Sequence, residues 1–234
     1  MNNSNIREII NKERYSLDDL LEVFAYLRGE NGCPWDREQT HESIRANLIE
    51  ETYEVIEALD NFDSSLMREE LGDLLLQVVF HAKLEEEVGH FNLDDVIHDV
   101  TDKLVRRHPH VFGDVAADDP DGALNAWEAA KNVEKVERRT VKDKMNAVPP
   151  ALPALMRAQK VVKKAKKDGF DDSNLISDGA SSLRKLADAI ENGDAESGEL
   201  LQSALFAMSA YAQNVGCDCE ELLSKRVVRF IEEY

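Results

Sequence analysis

The sequence predicts an all-α protein, and three of its features carry that expectation. Apolar residues recur at spacings of three and four in one segment after another, the period of a helix that buries one face. Alternating β-branched runs, which a half-buried strand requires, are almost absent. Two acidic pairs at i,i+3 spacing, Glu51 with Glu54 and Glu70 with Asp73, fall inside such helical segments, and the second interrupts a strongly apolar run.

In chain order, a first helix is expected from Leu17 to Arg28, with Ser16 as its N-cap and the Gly29 to Pro34 loop as its stop. Asn47 to Leu59 reads as an amphipathic helix with Leu48, Ile49, Val55, Ile56 and Leu59 on its apolar side and Glu50, Glu51, Glu54 and Glu57 as its acids. A third helix carries Leu71, Leu74, Leu75, Leu76, Val78, Val79 and Phe80, which cover most of its circumference at about 100° per residue. Its remaining polar stripe, Glu70, Asp73, Gln77 and His81, spans an arc of roughly 80°. Phe91 to His108 places Leu93, Val96, Ile97, Val100, Leu104 and Val105 at helical spacing and must end before Pro109. Asp118 to Gly122 is turn-like, and Ala123 to Arg139 is a charged helix with Trp127 and Lys131. Val148, Pro149, Pro150 and Pro153 then mark a boundary, dividing a first domain, 1–147, from a second helical one, 148–234.

A mostly buried helix that points two carboxylates one way must pair them or give them a metal. Two antiparallel helices would bring Glu51, Glu54, Glu70 and Asp73 together between them. Oxygen donors alone suit a hard cation, so Mg²⁺ is expected, with Mn²⁺ as a substitute, whereas Zn²⁺ would call for His and Cys. His41, His81, His108 and His110 do not form a metal set. The competing arrangement is ordinary: 47 acidic residues produce such spacings on solvated faces, and Arg45, Arg68 or a distant Lys would be the salt-bridge partner. Repetition of the motif on neighbouring helices favours the metal.

Composition narrows the function further. The chain has 234 residues and a formal charge of −19, which disfavours nonspecific binding to a nucleic-acid polymer. Its basic residues nevertheless cluster, at Arg106, Arg107 and His108 and again at Lys160, Lys163, Lys164, Lys166 and Lys167. Beside an acidic metal site, such a cluster points to a small phosphorylated ligand; for the lysines, a solvated helix face is the stronger reading. The longest apolar stretch, Leu74 to Phe80, is far short of a membrane span, and Met1 to Ser16 is too polar for a secretory signal, so a cytoplasmic location is expected. Cys33, Cys217 and Cys219 lack a CxxC spacing and are expected as reduced thiols.

The motifs, taken in order, resemble a known family. Gly32-Cys33-Pro34-Trp35-Asp36 is followed by Gln39-Thr40, then Glu50-Glu51-x-x-Glu54 and Glu70-Leu71-Gly72-Asp73. Asp102-Lys103-Leu104, Arg106-Arg107-His108-Pro109-His110-Val111-Phe112, Trp127-Glu128-x-x-Lys131 and Leu155-Met156-Arg157-Ala158-Gln159-Lys160 complete the set. Together they are similar to the MazG family of nucleoside triphosphate pyrophosphohydrolases. The resemblance implies a helical bundle of the all-α NTP pyrophosphatase type, a Mg²⁺ site on the EExxE and ExxD acids, and cleavage to a monophosphate and pyrophosphate. Attack would fall on the α-phosphorus, with Lys103, Arg106, Arg107 and Lys131 as candidate partners of the leaving pyrophosphate and Glu50 as candidate general base. Trp127 and Trp35 are the candidates for stacking on the base.

The second half reads as a tandem copy that has lost its chemistry. Leu152 to Asp172 echoes Leu17 to Asp36, Leu200 and Ser203 stand where the ExxD acids would fall, and Ser181, Ser182 and Lys185 stand near the places of the EExxE acids. A structural or dimerising role follows for it, and a homodimer for the protein. Two other classes compete with nucleotide hydrolysis. A ferritin-like di-metal oxidase needs paired Glu-x-x-His motifs, and Glu38-x-x-His41 stands unaccompanied. A catalytically retired nucleotide-binding or regulatory protein is supported only by the degraded second half.

Overall fold

Ser16 shows how the first long helix begins. Its hydroxyl accepts from the Asp19 N–H at 3.2 Å while the Asp19 carboxylate accepts from the Ser16 N–H at 2.9 Å, a reciprocal cap. The structure, a computed structural model, describes residues 3–134, 140–193 and 198–233, and all its regular elements there are α-helices. They are α1 (Asn3–Ile9), α2 (Leu17–Leu27), α3 (Pro34–Glu38), α4 (Arg45–Asp60), α5 (Ser64–Glu87), α6 (Leu93–Arg107) and α7 (Pro109–Phe112). After these come α8 (Pro120–Glu134), α9 (Val141–Asn146), α10 (Ala154–Lys167), α11 (Ser173–Asn192), α12 (Gly198–Val215) and α13 (Cys219–Glu232). The all-α fold class expected from the sequence is the one observed. Helix α8 starts at Pro120, inside the stretch read as a turn, because proline suits the first helical position. The expected end of that helix at Arg139 lies outside the described residues.

The chain divides into two compact units, Met1–Ala130 and Lys131–Tyr234. In the first, Phe24 of α2, Ile44, and Val79 and Phe80 of α5 form the buried core, with Leu20, Leu21, Leu27, Leu76, Leu84 and Leu93 packed around it. Phe24 meets Phe80 edge to face at 4.7 Å. Helices α4 and α5 lie against each other, joined by the short turn of residues 61–63. Asp63 caps α5 by accepting from the Ser65 and Leu66 N–H groups. Arg28 ties the ends of this unit together: its guanidinium, 5% exposed, donates twice to Glu87 at 2.8 and 2.7 Å. It also donates to the Asp36 carbonyl and lies 5.3 Å over the Phe80 ring.

The apolar circumference of α5 is only partly covered within the unit. Val79, Phe80 and Ala82 are buried, whereas Leu71, Leu75 and Val78 are 49, 42 and 40% exposed. An exposed stripe of Ile49, Tyr53 and Ile56 runs along α4 as well.

In the second unit, α10 packs on α12 and α11 on α12. Small residues allow the close approach: a Cβ added to Gly179 of α11 would stand 1.9 Å from the Ala207 Cβ of α12. Buried Gln159 fixes the turn before α13, donating to the Cys217 carbonyl at 2.7 Å and accepting from the Cys219 N–H at 3.0 Å. The three cysteines are free thiols.

Candidate metal centre

The hairpin of α4 and α5 brings acids from both helices to one place. Glu51 from α4 and Glu70 and Asp73 from α5 each offer a carboxylate oxygen, and these oxygens lie within 4.8 Å of one another. Glu54, one turn after Glu51, is not one of these three, but its charge acts on both Glu51 and Glu70. Glu70 is 9% exposed, Glu51 and Glu54 are half-buried, and Asp73 is exposed. Burial, first of all, holds the Glu51 carboxyl above its ordinary range, reinforced by Glu54, Asp73 and Glu70. Glu70 is pushed up in the same way, by burial and then by the charges of Glu54, Asp73 and Glu69.

Among the described residues no Lys, Arg or His forms an ion pair with any of the four acids, so the salt bridges to Arg45 or Arg68 do not form. Four carboxylates facing one another without a cation are an uncompensated charge cluster, and a divalent ion would compensate it. The donor set is all oxygen, from two helices, with one exposed side. That set fits a hard cation that keeps positions open for a phosphate, and it offers no soft donor.

The other residues singled out in the sequence occupy different surroundings. Glu50 is exposed and lies outside the group. On α6, Lys103 is exposed and Arg106 donates to Asp102 at 2.8 Å. Arg107 lies 5.6 Å over the Trp127 ring. Lys131 follows Trp127 by one turn on α8 and is half-buried. Trp35, on α3, is 59% exposed. Within the second unit, Leu200 is half-buried and Ser203 exposed on α12, and the described residues there hold no acid or histidine group fit for a metal.

Sequence reasoning missed a polar chain on the same pair of helices. His41, in the turn before α4, and His81 of α5 meet edge to edge with their rings parallel, centroids 5.0 Å apart, and their Nδ1 atoms 2.7 Å apart. His41 Nε2 meets Glu85 at 2.8 Å, and the other oxygen of Glu85 meets His90 Nδ1 at 2.6 Å. His81 belongs to the polar stripe already visible in the sequence, but no local spacing links it to His41 forty residues away.

Residues 39–112 match the model of the MazG nucleotide pyrophosphohydrolase domain. The chain is similar to the nucleoside triphosphate pyrophosphohydrolase/pyrophosphatase MazG of Thermotoga maritima, with 37% identity over 220 residues, 93% of this chain and 83% of that protein. It is also similar to the nucleoside triphosphate pyrophosphohydrolase of Escherichia coli K12, with 45% identity over 160 residues, 68% of this chain and 60% of that protein. A third relative, the uncharacterized protein YabN of Bacillus subtilis, is 48% identical over 142 residues, 60% of this chain and 28% of its own length.

Proposed function

This chain belongs to the MazG nucleotide pyrophosphohydrolase family, and on that premise we propose that it hydrolyses nucleoside triphosphates to the monophosphate and pyrophosphate, with Mg²⁺ as its metal and Mn²⁺ able to replace it. The observation that carries the reading is the convergence of Glu51, Glu70 and Asp73, with Glu54 acting on them from the next turn, without a protein cation. A bound divalent ion supplies charge neutralisation on the phosphates and a more acidic water. Everything else falls to the chain's own residues. Glu51, Glu54, Glu70 and Asp73 hold the cation. Glu50, exposed and outside the group, is free to take a proton from the attacking water.

Lys103, Arg106, Arg107 and Lys131 are proposed to receive the negative charge that gathers on the leaving pyrophosphate as the bond to the α-phosphorus breaks. Trp127, with Arg107 over its ring, and Trp35 are proposed to stack on the base. Clearance of unwanted nucleotides in the cytoplasm is the proposed role. No described helix is long and apolar enough to cross a membrane. Residues 148–234 are proposed as a degenerate repeat of 1–147 with a structural or dimerising part. The exposed stripes of α4 and α5, Ile49, Tyr53, Ile56, Leu71, Leu75 and Val78, support a homodimer, because apolar faces of this kind gain by covering each other.

The test is release of pyrophosphate and orthophosphate from a panel of triphosphates with Mg²⁺, with Mn²⁺ and with chelator. Metal-dependent pyrophosphate plus monophosphate is the expected result, and hydrolysis in ¹⁸O-water should place the label in the monophosphate. Binding of nucleotides without turnover under any metal would leave the protein a retired, regulatory binder. Glu50→Gln should lower kcat at least tenfold without changing metal affinity.

A further inference from the structure

Helix α4 carries half of the acidic centre, and its N-cap residue, Ile44, makes no side-chain cap bond. The turn before it is closed locally by Thr40 and Ser43, whose hydroxyls accept from each other's N–H groups at 3.3 and 2.9 Å. Those bonds shape the turn but do not place it on α5; two contacts with α5 do that. Ile44, 2% exposed, enters the core beside Val79 and Phe80, and His41 meets His81, the next residue along α5. These contacts sit at one end of the hairpin and the four carboxylates lie further along it. In a rigid antiparallel pair the register set at one end fixes which residues face each other at the other. A slip of one residue moves α4 by about 1.5 Å and turns it by about 100°, which is enough to carry Glu51 away from Glu70 and Asp73.

The hydrogen positions in this contact follow from the partners. Glu85 only accepts as a carboxylate, and the bonds from His90 and His41 hold its carboxyl below the ordinary range. His41 Nε2 must therefore carry a hydrogen. In neutral His41 the Nδ1 atom is then a bare acceptor, and the 2.7 Å contact requires the hydrogen on His81 Nδ1. That leaves His81 Nε2 as a lone pair, and this atom is indeed buried with no partner. A buried acceptor left unsatisfied has a cost that packing alone does not explain. It is tolerated because the opposite nitrogen is committed to His41.

We propose that His41 is a positioning residue of the metal centre: oriented by Glu85 and bonded to His81, it sets the register of α4 on α5 and thereby holds Glu51 and Glu54 against Glu70 and Asp73. The inference rests on the metal reading of those acids. Its test reads Mn²⁺ affinity of the full-length protein, by calorimetry or by the spin resonance of free Mn²⁺, so turnover is not needed. His41→Leu should weaken Mn²⁺ binding about tenfold, the size seen when support around a metal ligand is removed. His41→Asn keeps an acceptor oxygen near the Nδ1 position and should stay within about threefold of the wild type. Because the two rings act as a pair, the double variant His41→Leu/His81→Leu should bind no more weakly than the worse single variant.

Glu85→Leu changes only the outer end of the chain and guards against a folding defect at His41; it should weaken Mn²⁺ binding about threefold and release the His41 tautomer, visible in the ¹⁵N shifts of its ring. Wild-type affinity in His41→Leu and Glu85→Leu, or strictly additive losses in the double variant, would overturn the proposal while leaving the metal centre standing. If the wild type binds no Mn²⁺ and Glu70→Ala changes nothing, the metal reading itself falls and takes this inference with it.

Discussion

Gly32→Ala is the most decisive perturbation of the first unit, because the residue has no room for a methyl group. Its added Cβ would stand 2.1 Å from the Leu27 carbonyl oxygen and 2.3 Å from that of Tyr26. Both are backbone atoms at the end of α2, so no side chain can swing aside, and the loop must move by about 1 Å to restore ordinary contact. Two bonds stand in the way, Gly32 N–H to the Gly29 carbonyl at 2.9 Å and Cys33 N–H to the Leu27 carbonyl at 2.7 Å. Losing both, with the carbonyls partly buried, costs about 3–5 kcal/mol, a large share of a typical domain's stability. For a chain of this size that is a fall in Tm of roughly 10 °C or more. The loop also delivers Trp35 and receives the Arg28 bond at the Asp36 carbonyl, so turnover should fall even below the melting range. The assay is thermal and urea unfolding by circular dichroism, with Gly29→Ala, whose nearest contact is 3.2 Å, as the mild control. A Gly32→Ala protein that melts with the wild type would refute the argument from close approach.

Gly72, in the middle of α5 and inside the ExxD motif, invites the opposite expectation: its added Cβ meets nothing within 4 Å, so Gly72→Ala should stabilise by about 1 kcal/mol through helix propensity. A lowered Tm would mean that another chain occupies that space. Phe62, at the tip of the α4–α5 turn, holds φ at 54° and is 95% exposed; Phe62→Gly should raise stability by about 1 kcal/mol in urea unfolding, since only the left-handed backbone is relieved. For the acids the sign follows from their raised titration. Native Glu51 and Glu70 hold protons more tightly than the unfolded chain, so their contribution is favourable in acid and is lost as pH rises through and above the ordinary carboxylate range. Glu70→Gln should therefore melt above the wild type at neutral pH without metal, an advantage that shrinks toward pH 4 and reverses when Mn²⁺ is added. Equal melting at both pH values would show that the cluster carries no such strain.

What the sequence disclosed was whatever is local. The cap at Ser16, the stop of α6 before Pro109 and the stripe of Glu70, Asp73, Gln77 and His81 depend on residues within a few turns, and spacing suffices to find them. Glu51 and Glu54 were assigned to the same centre because both helices repeat the motif and a short turn forces them antiparallel. Contacts between distant segments stayed hidden. Nothing in the sequence pairs His41 with His81, Arg28 with Glu87 or Arg107 with Trp127. The exposed side of α5 misled for a related reason: a run apolar on nearly every side reads as buried, whereas one chain covers only half of it.

The placement of strong and weak packing along the α4–α5 hairpin follows from what its acids require. Four carboxylates at the centre repel one another and push the helices apart unless a cation is present. Packing is therefore concentrated away from the acids: Ile44 meets Val79 and Phe80, while from α2 and its C-cap Phe24 stands edge-on to Phe80 and Arg28 bonds Glu87 at the far end of α5. This separation lets the acidic end stay close without metal, since the core fixes the register that the charges would otherwise disturb. A polar contact, His41 on His81, stands at the same end as Ile44, Val79 and Phe80. An apolar residue there would add burial but no direction, whereas a hydrogen bond with one donor and one acceptor specifies the register as well as the distance.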